Sequence, residues 1–352
     1  MLIFRAMAAK DVLTLTPAGL YCVPGDFHID PTRRVPRALI THGHSDHARP
    51  GHGAVMATRE TLAIMALRYG EAFAGTRQIA RLGEKVAIGD ATVSFHPAGH
   101  VLGSAQIAIE AKDTRIVVSG DYKRAPDPTC RAFEPVACDL FITEATFGLP
   151  VFRHPDAGHE IAKFLASVAL FPERAHLLGA YALGKAQRIV ALIRAAGWDK
   201  PIYIHGAIEK LMDFCAGEGI LLGEIRKVPG TDRAKLGGEI VLVPPGALND
   251  LWSRKFPDPV TAFASGWMRI RARARQGGVT LPLVVSDHAD WDGLCTTIRD
   301  TGCGEVWVTH GEEDALVHWA RTQGLDAQPL HMIGYGDESD EEGGRAAQEG
   351  AA

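Results

Sequence analysis

The sequence predicts an α/β fold, and three observations predict it. Short β-rich runs separated by Gly- and Pro-marked turns occupy roughly the first 150 residues, helix and strand alternate from about Asp156, and the alternation resumes after Pro282. The early runs are Arg37 to Thr41, Thr92 to His96, Thr114 to Ser119 and Asp139 to Thr143, with one helical stretch, Arg59 to Arg68, among them. The middle region reads as helix Gly158 to Val168, strand Ala175 to Leu178, helix Gly184 to Ala196, strand Pro201 to His205 and helix Ile208 to Cys215. Alternation of this kind predicts βαβ units and a parallel sheet. The last region reads as strand Leu283 to Val285, helix Trp291 to Arg299, strand Glu305 to Thr309 and helix Glu313 to Gln323.

A chain of 352 residues has room for one large domain or two ordinary ones. Its 46% hydrophobic and 22% charged content excludes a fibrous or wholly disordered protein. No run approaches the roughly 18 apolar residues of a membrane span. The opening MLIFRAMAAKDVL places charges where a signal peptide needs apolar residues, so the chain reads as cytoplasmic. The six cysteines are scattered without a CxxC pair and are expected to be reduced thiols. Net charge is -5, and the segment from Asp337 to Ala352, with Asp337, Glu338, Asp340, Glu341, Glu342 and Glu349 against Arg345, carries all of it. That Gly-rich tail has too little apolar surface to offset its ordering entropy and is expected to be disordered. The rest of the chain is neutral overall, so any affinity for nucleic acid must come from local basic patches.

The segment THGHSDHA concentrates metal chemistry, with His42, His44, Asp46 and His47 following an apolar run. If the run stays extended, His42 and His44 share a face and can close on one ion, while Asp46 and His47 in the following turn reach a second. Zinc takes about four ligands, and a two-metal hydrolytic site also needs a bridging carboxylate. Candidates stand at predicted strand ends: His100 in HPAGHVLGS, Asp121 after IVVSG, and His310 after EVWVT.

This order, HxHxDH then His, Asp and a distant His, resembles the metallo-β-lactamase superfamily over nearly the whole chain. The resemblance implies that His42, His44 and His100 bind one zinc, that Asp46, His47 and His310 bind the other, and that Asp121 bridges them. It implies two Zn2+ per chain, with Mn2+ as the alternative working ion. Asp30, in FHIDP, matches the superfamily's first motif, an aspartate that orients the ligand loop, with Asp26 as its rival.

Between Asp121 and His310 lie 188 residues, more than one strand and helix need. Five segments in order, ITEATFG, AYALGKAQR, FASGWM, SDHADW and THGEEDAL, resemble the β-CASP nucleases of that superfamily. The implied architecture is an αββα sandwich with an inserted β-CASP α/β cap. Residues 1–150 and 282–336 would form the sandwich, 151–281 the cap and 337–352 the tail. A departing alkoxide needs a proton, and His288 is the candidate general acid, with Glu144 or Asp290 holding its tautomer. Lys185, Ser265, Arg269 and Arg271 are the candidate substrate-binding residues.

The resemblance extends to bacterial ligase-associated DNA exonucleases. It implies a nuclease that hydrolyses phosphodiester bonds, an exonuclease on single-stranded DNA in repair, with an ATP-dependent DNA ligase and a helicase as partners and no membrane association. The histidine at 310, typical of RNA-processing relatives, keeps an RNA substrate as the alternative. Two rivals stand outside that reading: a small-molecule metallohydrolase such as a lactonase, and a noncatalytic nucleic-acid scaffold.

Overall fold

In the computed structural model, the residues described are 9–270, 272 and 279–330. The chain divides into two units, Met1–Arg153 with His288–Gly336, and His154–Asp287. The acidic tail and Arg271 lie outside the described residues. Among the described residues, no helix is long and apolar enough to cross a membrane, and all six cysteines are free thiols.

The first unit holds two sheets. One runs β1 (Leu13–Thr16), β2 (Gly19–Cys22), β3 (Phe27–Ile29), β4 (Arg37–Leu39), β5 (His52–Ala57) and β6 (Ala74–Ile79), each beside the next. The other comprises β7 (Val86–Ile88), β8 (Ala91–Pro97), β9 (Ala105–Ala111), β10 (Thr114–Val118) and β11 (Leu140–Ala145), followed by β18 (Glu305–Gly311) and β19 (Asp326–Pro329).

Phe27, Ile29 and Leu39 of the first sheet share a buried cluster with Phe95, Ile107, Ile116 and Ile142 of the second. Helix α1 (Arg59–Tyr69) packs Leu62 and Met65 against Ala38, Ile40 and Val55. Two later helices, α5 (Trp291–Thr301) and α6 (Glu313–Thr322), pack Leu294, Ile298, Leu316 and Ala320 against Val117, Phe141 and Val306. Strand β11 therefore has apolar partners on both faces, and all of LFITEA is buried without polar alternation. Each large apolar side chain so enclosed stabilises the unit by about 1.5–3 kcal/mol.

Strand direction places the chemistry. Strands β3 and β4 pair in parallel, as do β10 with β11 and β11 with β18. Asp30 follows β3, the histidine-rich segment follows β4, Asp121 follows β10, and Glu144 and His310 lie near the ends of β11 and β18. These residues all stand at or beyond the carboxyl ends of their strands. Strand β4 stops at Leu39, shorter than expected, so His42 and His44 sit in a loop and not on one face of an extended run.

The second unit is a six-stranded sheet of β12 (His176–Gly179), β13 (Ile202–Ile204), β14 (Ile225–Lys227), β15 (Ile240–Val243), β16 (Val260–Ala264) and β17 (Leu281–Leu283), in the order β14-β13-β15-β12-β16-β17. Every pairing in it is parallel, as alternation with α2 (Ala157–Leu170), α3 (Lys185–Ala195) and α4 (Gly206–Gly217) predicts. The strand expected at Leu283 to Val285 instead spans Leu281–Leu283. Beyond it, the Val285 carbonyl accepts from Lys185 Nζ at 3.2 Å.

Buried histidines make this fold acid-sensitive. Burial lowers the pKa of His52 in the first unit and of His176 in the second, where Ser167 Oγ and the Arg174 carbonyl stand 3.0 and 3.2 Å from its ring nitrogens. An unfolded histidine titrates near about 6.5, so below that pH the unfolded chain binds more protons than the folded one. Stability is then lost as pH falls from about 7 toward 5. Urea unfolding in chelator at pH 7, 6 and 5 should show a falling midpoint; a constant or rising midpoint would contradict this account.

Candidate metal centre

Asp30 organises the ligand loop. Its backbone takes a positive φ of 43°, a conformation Asp tolerates better than most residues. Its Oδ1 accepts from the Thr41 N–H at 2.8 Å, and its Oδ2 accepts from Thr41 Oγ1 at 2.6 Å. The same Oδ2 lies 2.8 Å from His47 Nδ1, which fixes the proton there and leaves Nε2 to face the cluster. The rival, Asp26, is exposed and accepts from the Tyr21 hydroxyl.

The sequence marks Thr41 only as the end of a β-rich run, directly before His42. Its carbonyl accepts from the Ala105 N–H at 2.8 Å, which ties the loop to the second sheet of the same unit. Gly120, at φ +55°, passes so close that an added Cβ would stand 2.7 Å from the Thr41 side chain. A larger residue beside Asp121 would therefore push the ligand loop away. Replacing Asp30 with alanine should cost about 2–3 kcal/mol of stability and weaken metal binding about 10- to 100-fold. Chemical unfolding and metal titration check both.

Side chains from well-separated segments converge here. One ligand atom from each of His42, His44, His100 and Asp121 lies within 4.8 Å of the others, and the same holds for His47, Asp121 and His310. His44 Nδ1 faces both His42 Nε2, at 3.1 Å, and His100 Nε2, at 3.0 Å. Asp121 Oδ2 lies 3.5 Å from His42 Nε2, 3.5 Å from His47 Nε2 and 3.8 Å from His100 Nε2, so one carboxylate belongs to both groups. Asp46 Oδ2 stands 3.5 Å from His47 Nε2. His310 occupies a positive φ of 54°, immediately before Gly311 at φ +116°.

This donor set fits divalent cations. A ring nitrogen has either one proton or one lone pair, so His44 Nδ1 can satisfy only one of its two imidazole neighbours, whereas a cation among them takes a lone pair from each. Burial pushes His42 well below the ordinary histidine range, and His47 adds to that effect. Burial and His47 bring His310 down to about 3. Both rings therefore stay neutral at physiological pH, the form a metal binds. At Asp121, burial raises the carboxyl, but His47 outweighs it and holds the pKa well below the carboxylate range. At His47, burial is outweighed by Asp46 and Asp121, and the pKa rises well above the ordinary value. The carboxylates around His47 thus call for positive charge, a demand that a divalent cation meets.

A third group adjoins the first two. Ligand atoms of Asp121, Glu144 and His288 also lie within 4.8 Å of one another. His288 Nδ1 is 2.9 Å from Glu144 Oε2 and its ring centroid is 4.6 Å from that of His100. Glu144 is itself held, accepting from the Tyr122 N–H at 2.7 Å and from Thr146 Oγ1 at 2.6 Å. Of the two carboxylates considered for His288, Glu144 is the one at its Nδ1. Asp290 caps α5, with Oδ1 accepting from the Gly293 N–H.

The substrate-binding residues expected in the second unit differ in setting. Lys185 is a correction: only 2% exposed, its ammonium is ion-paired with Asp287, so it braces the segment from Val285 to Asp287 and does not face solvent. Arg188 donates in the same way to the Ser286 carbonyl. Ser265 is buried and accepts from the Trp267 N–H, capping the short turn Gly266–Arg269, whereas Arg269 is exposed.

Comparison with known proteins adds an independent line. No protein-family profile matches the chain. It is 27% identical over 323 residues to a probable DNA ligase of Opitutus terrae, covering 88% of this chain and 30% of that protein. It is 33% identical over 141 residues to cleavage and polyadenylation specificity factor subunit 3 of Dictyostelium discoideum, covering 37% and 18%. A ribonuclease of Thermus thermophilus is 30% identical over 151 residues, covering 35% and 34%. The chain thus spans about a third or less of the length of these relatives. A solved structure from Enterococcus faecalis V583, titled as a protein of unknown function, shares the fold at a TM-score of 0.55 and 13% identity, over 85% of this chain and 80% of that one. With a cleavage factor and ribonucleases among its relatives and histidine and aspartate donors gathered in this way, the chain is similar to the β-CASP nucleases of the metallo-β-lactamase superfamily over part of its length.

Proposed function

We propose that the chain is a metal-dependent nuclease that hydrolyses phosphodiester bonds, working as an exonuclease on single-stranded DNA in repair. The observation that carries this reading is the sharing of Asp121 by two groups of metal-competent donors, with the His288–Glu144 pair beside them. In this reading His42, His44 and His100 hold one zinc ion, Asp46, His47 and His310 hold a second, and Asp121 serves both, on an αββα sandwich carrying a β-CASP cap. When bound, such ions polarise the scissile phosphate and acidify an attacking water.

The chain's own residues do the rest. Asp30 orients His47 through Nδ1. Glu144, accepting from His288 Nδ1, fixes the orientation of the ring, so that its Nε2 is the atom that would deliver a proton to the departing sugar oxygen. Arg269, exposed in the second unit, is a candidate phosphate contact. The match to a protein named as a probable DNA ligase is what favours DNA as substrate and a ligase as working partner in this reading, and the helicase comes from the sequence resemblance alone.

RNA is the second reading, supported by His310 and by relatives named as ribonucleases. End-labelled DNA and RNA strands, with and without a 5′-phosphate, should be digested by metal-defined protein, and the product ladder then reads substrate, polarity and mode. Hydrolysis of lactones or thioesters with both strands left intact would sink the nuclease reading.

A further inference from the structure

Within the first unit a groove of about 670 Å³ lies outside the donor cluster. Its walls come from the start of α1, at Thr58, Arg59 and Glu60, from the stretch after β6, at Ile79 to Leu82, and from the loop Val101 to Ser104, with Arg131 at its rim. That loop directly follows His100 and is rigidly held. Ser104 Oγ accepts from the His100 and Val101 N–H groups at 3.1 and 3.2 Å, and the Gly103 carbonyl accepts from Thr58 Oγ1 at 2.6 Å and Thr61 Oγ1 at 3.1 Å. One wall of the groove is thus the back of a segment that carries a donor of the centre.

The chemistry of the lining is specific in kind. Arg59, Arg81 and Arg131 are all exposed, against Glu60 and Glu84. Arg59 pairs with Glu60 at 3.1 Å, whereas Arg81 stands 3.9 Å from Glu84 with both of those side chains largely in water, a pairing that holds Arg81 only weakly. Arg131 has no ion pair among the described residues. Ile79, 56% exposed at the end of the edge strand β6, and the half-buried Leu82 and Leu102 supply apolar surface between the charges. Guanidinium groups spaced around apolar surface suit a polymer of phosphates and flat bases.

Resting on the nuclease reading, we propose that this groove holds the phosphodiester backbone of the strand beyond the nucleotide being cleaved, with Arg81 and Arg131 as sequence-independent phosphate contacts. It adds affinity for length and takes no part in bond breaking. Phosphorothioate-protected 12-mers of DNA and RNA, bound at several salt concentrations, test this in the full chain. The double variant Arg81→Ala, Arg131→Ala should bind both about tenfold more weakly, with the salt slope reduced by about 1.4 for two lost contacts on a single strand. Glu84→Gln, which removes an opposing charge, should bind more tightly. Hydrolysis of a dinucleotide, too short to reach the groove, should stay at the wild-type rate. Unchanged affinity and slope in a protein that still cleaves strands would overturn the groove assignment and leave the nuclease reading standing. A wild-type chain that neither binds nor cleaves strands would overturn both.

Discussion

Replacing Asp121 with asparagine should lower phosphodiester hydrolysis by about a thousandfold or more, roughly 4 kcal/mol of transition-state stabilisation. The change is nearly isosteric, so the surrounding packing should survive it. What it removes is the charge on the one oxygen that stands 3.5 Å from both His42 Nε2 and His47 Nε2. Because that carboxylate belongs to both donor groups, its loss should reduce metal content as well as rate. Metal analysis of the purified variant and single-turnover cleavage at saturating metal separate the two effects. An Asp121→Asn protein with wild-type metal content and rate would rule out a shared-ligand role.

Replacing His288 with alanine should slow cleavage by about 10²- to 10⁴-fold, the range expected for a lost general acid. Here the discriminating readout is the leaving group. The nitrophenolate of a nitrophenyl phosphodiester departs without needing a proton, so the variant should lose little on that substrate while failing on DNA or RNA strands. Metal content should remain near wild type. If metal is lost and both substrates suffer equally, His288 is acting as a ligand, which its proximity to Asp121 and Glu144 permits geometrically. Glu144→Gln should give a smaller loss with the same substrate dependence, because it removes only the carboxylate at Nδ1, 2.9 Å away.

How much of this was legible in the sequence varies by element. The parallel character of the second unit's sheet was readable from its first half, where helix and strand alternate from α2 to α4. Strands β15, β16 and β6 are among those the sequence reading did not single out. The first, IVLV, and the second, VTAFA, lie among turns and short 3-10 stretches that break the alternation. The third, AGTRQI, is an edge strand with almost every residue exposed and no hydrophobic period to find. The end of β4 was misplaced by two residues for a related reason: Ile40 is as apolar and buried as the strand residues before it, though it lies past the end of the pairing with β5.

The same divide runs through the site. His42, His44, Asp46 and His47 announce themselves because four metal-competent side chains in six positions are rarely accidental. The function of Thr41 and Thr146 was invisible, because a threonine that orients an acid looks like any other threonine. Lys185 was misread for the opposite reason: a lysine at the head of a helix resembles a phosphate donor, and only the fold encloses it with Asp287.

By itself, the sequence determined the α/β class, the identity of the donors and the order in which they come along the chain, since these follow from local composition and spacing. Only the tertiary structure decided which donors share a carboxylate, which acid holds His288, and that a basic groove lies behind the His100 loop. Those facts depend on parallel pairing between strands far apart in sequence, β11 beside β18 above all, and such pairing is set by the packing of whole sheets, which no short stretch of residues encodes.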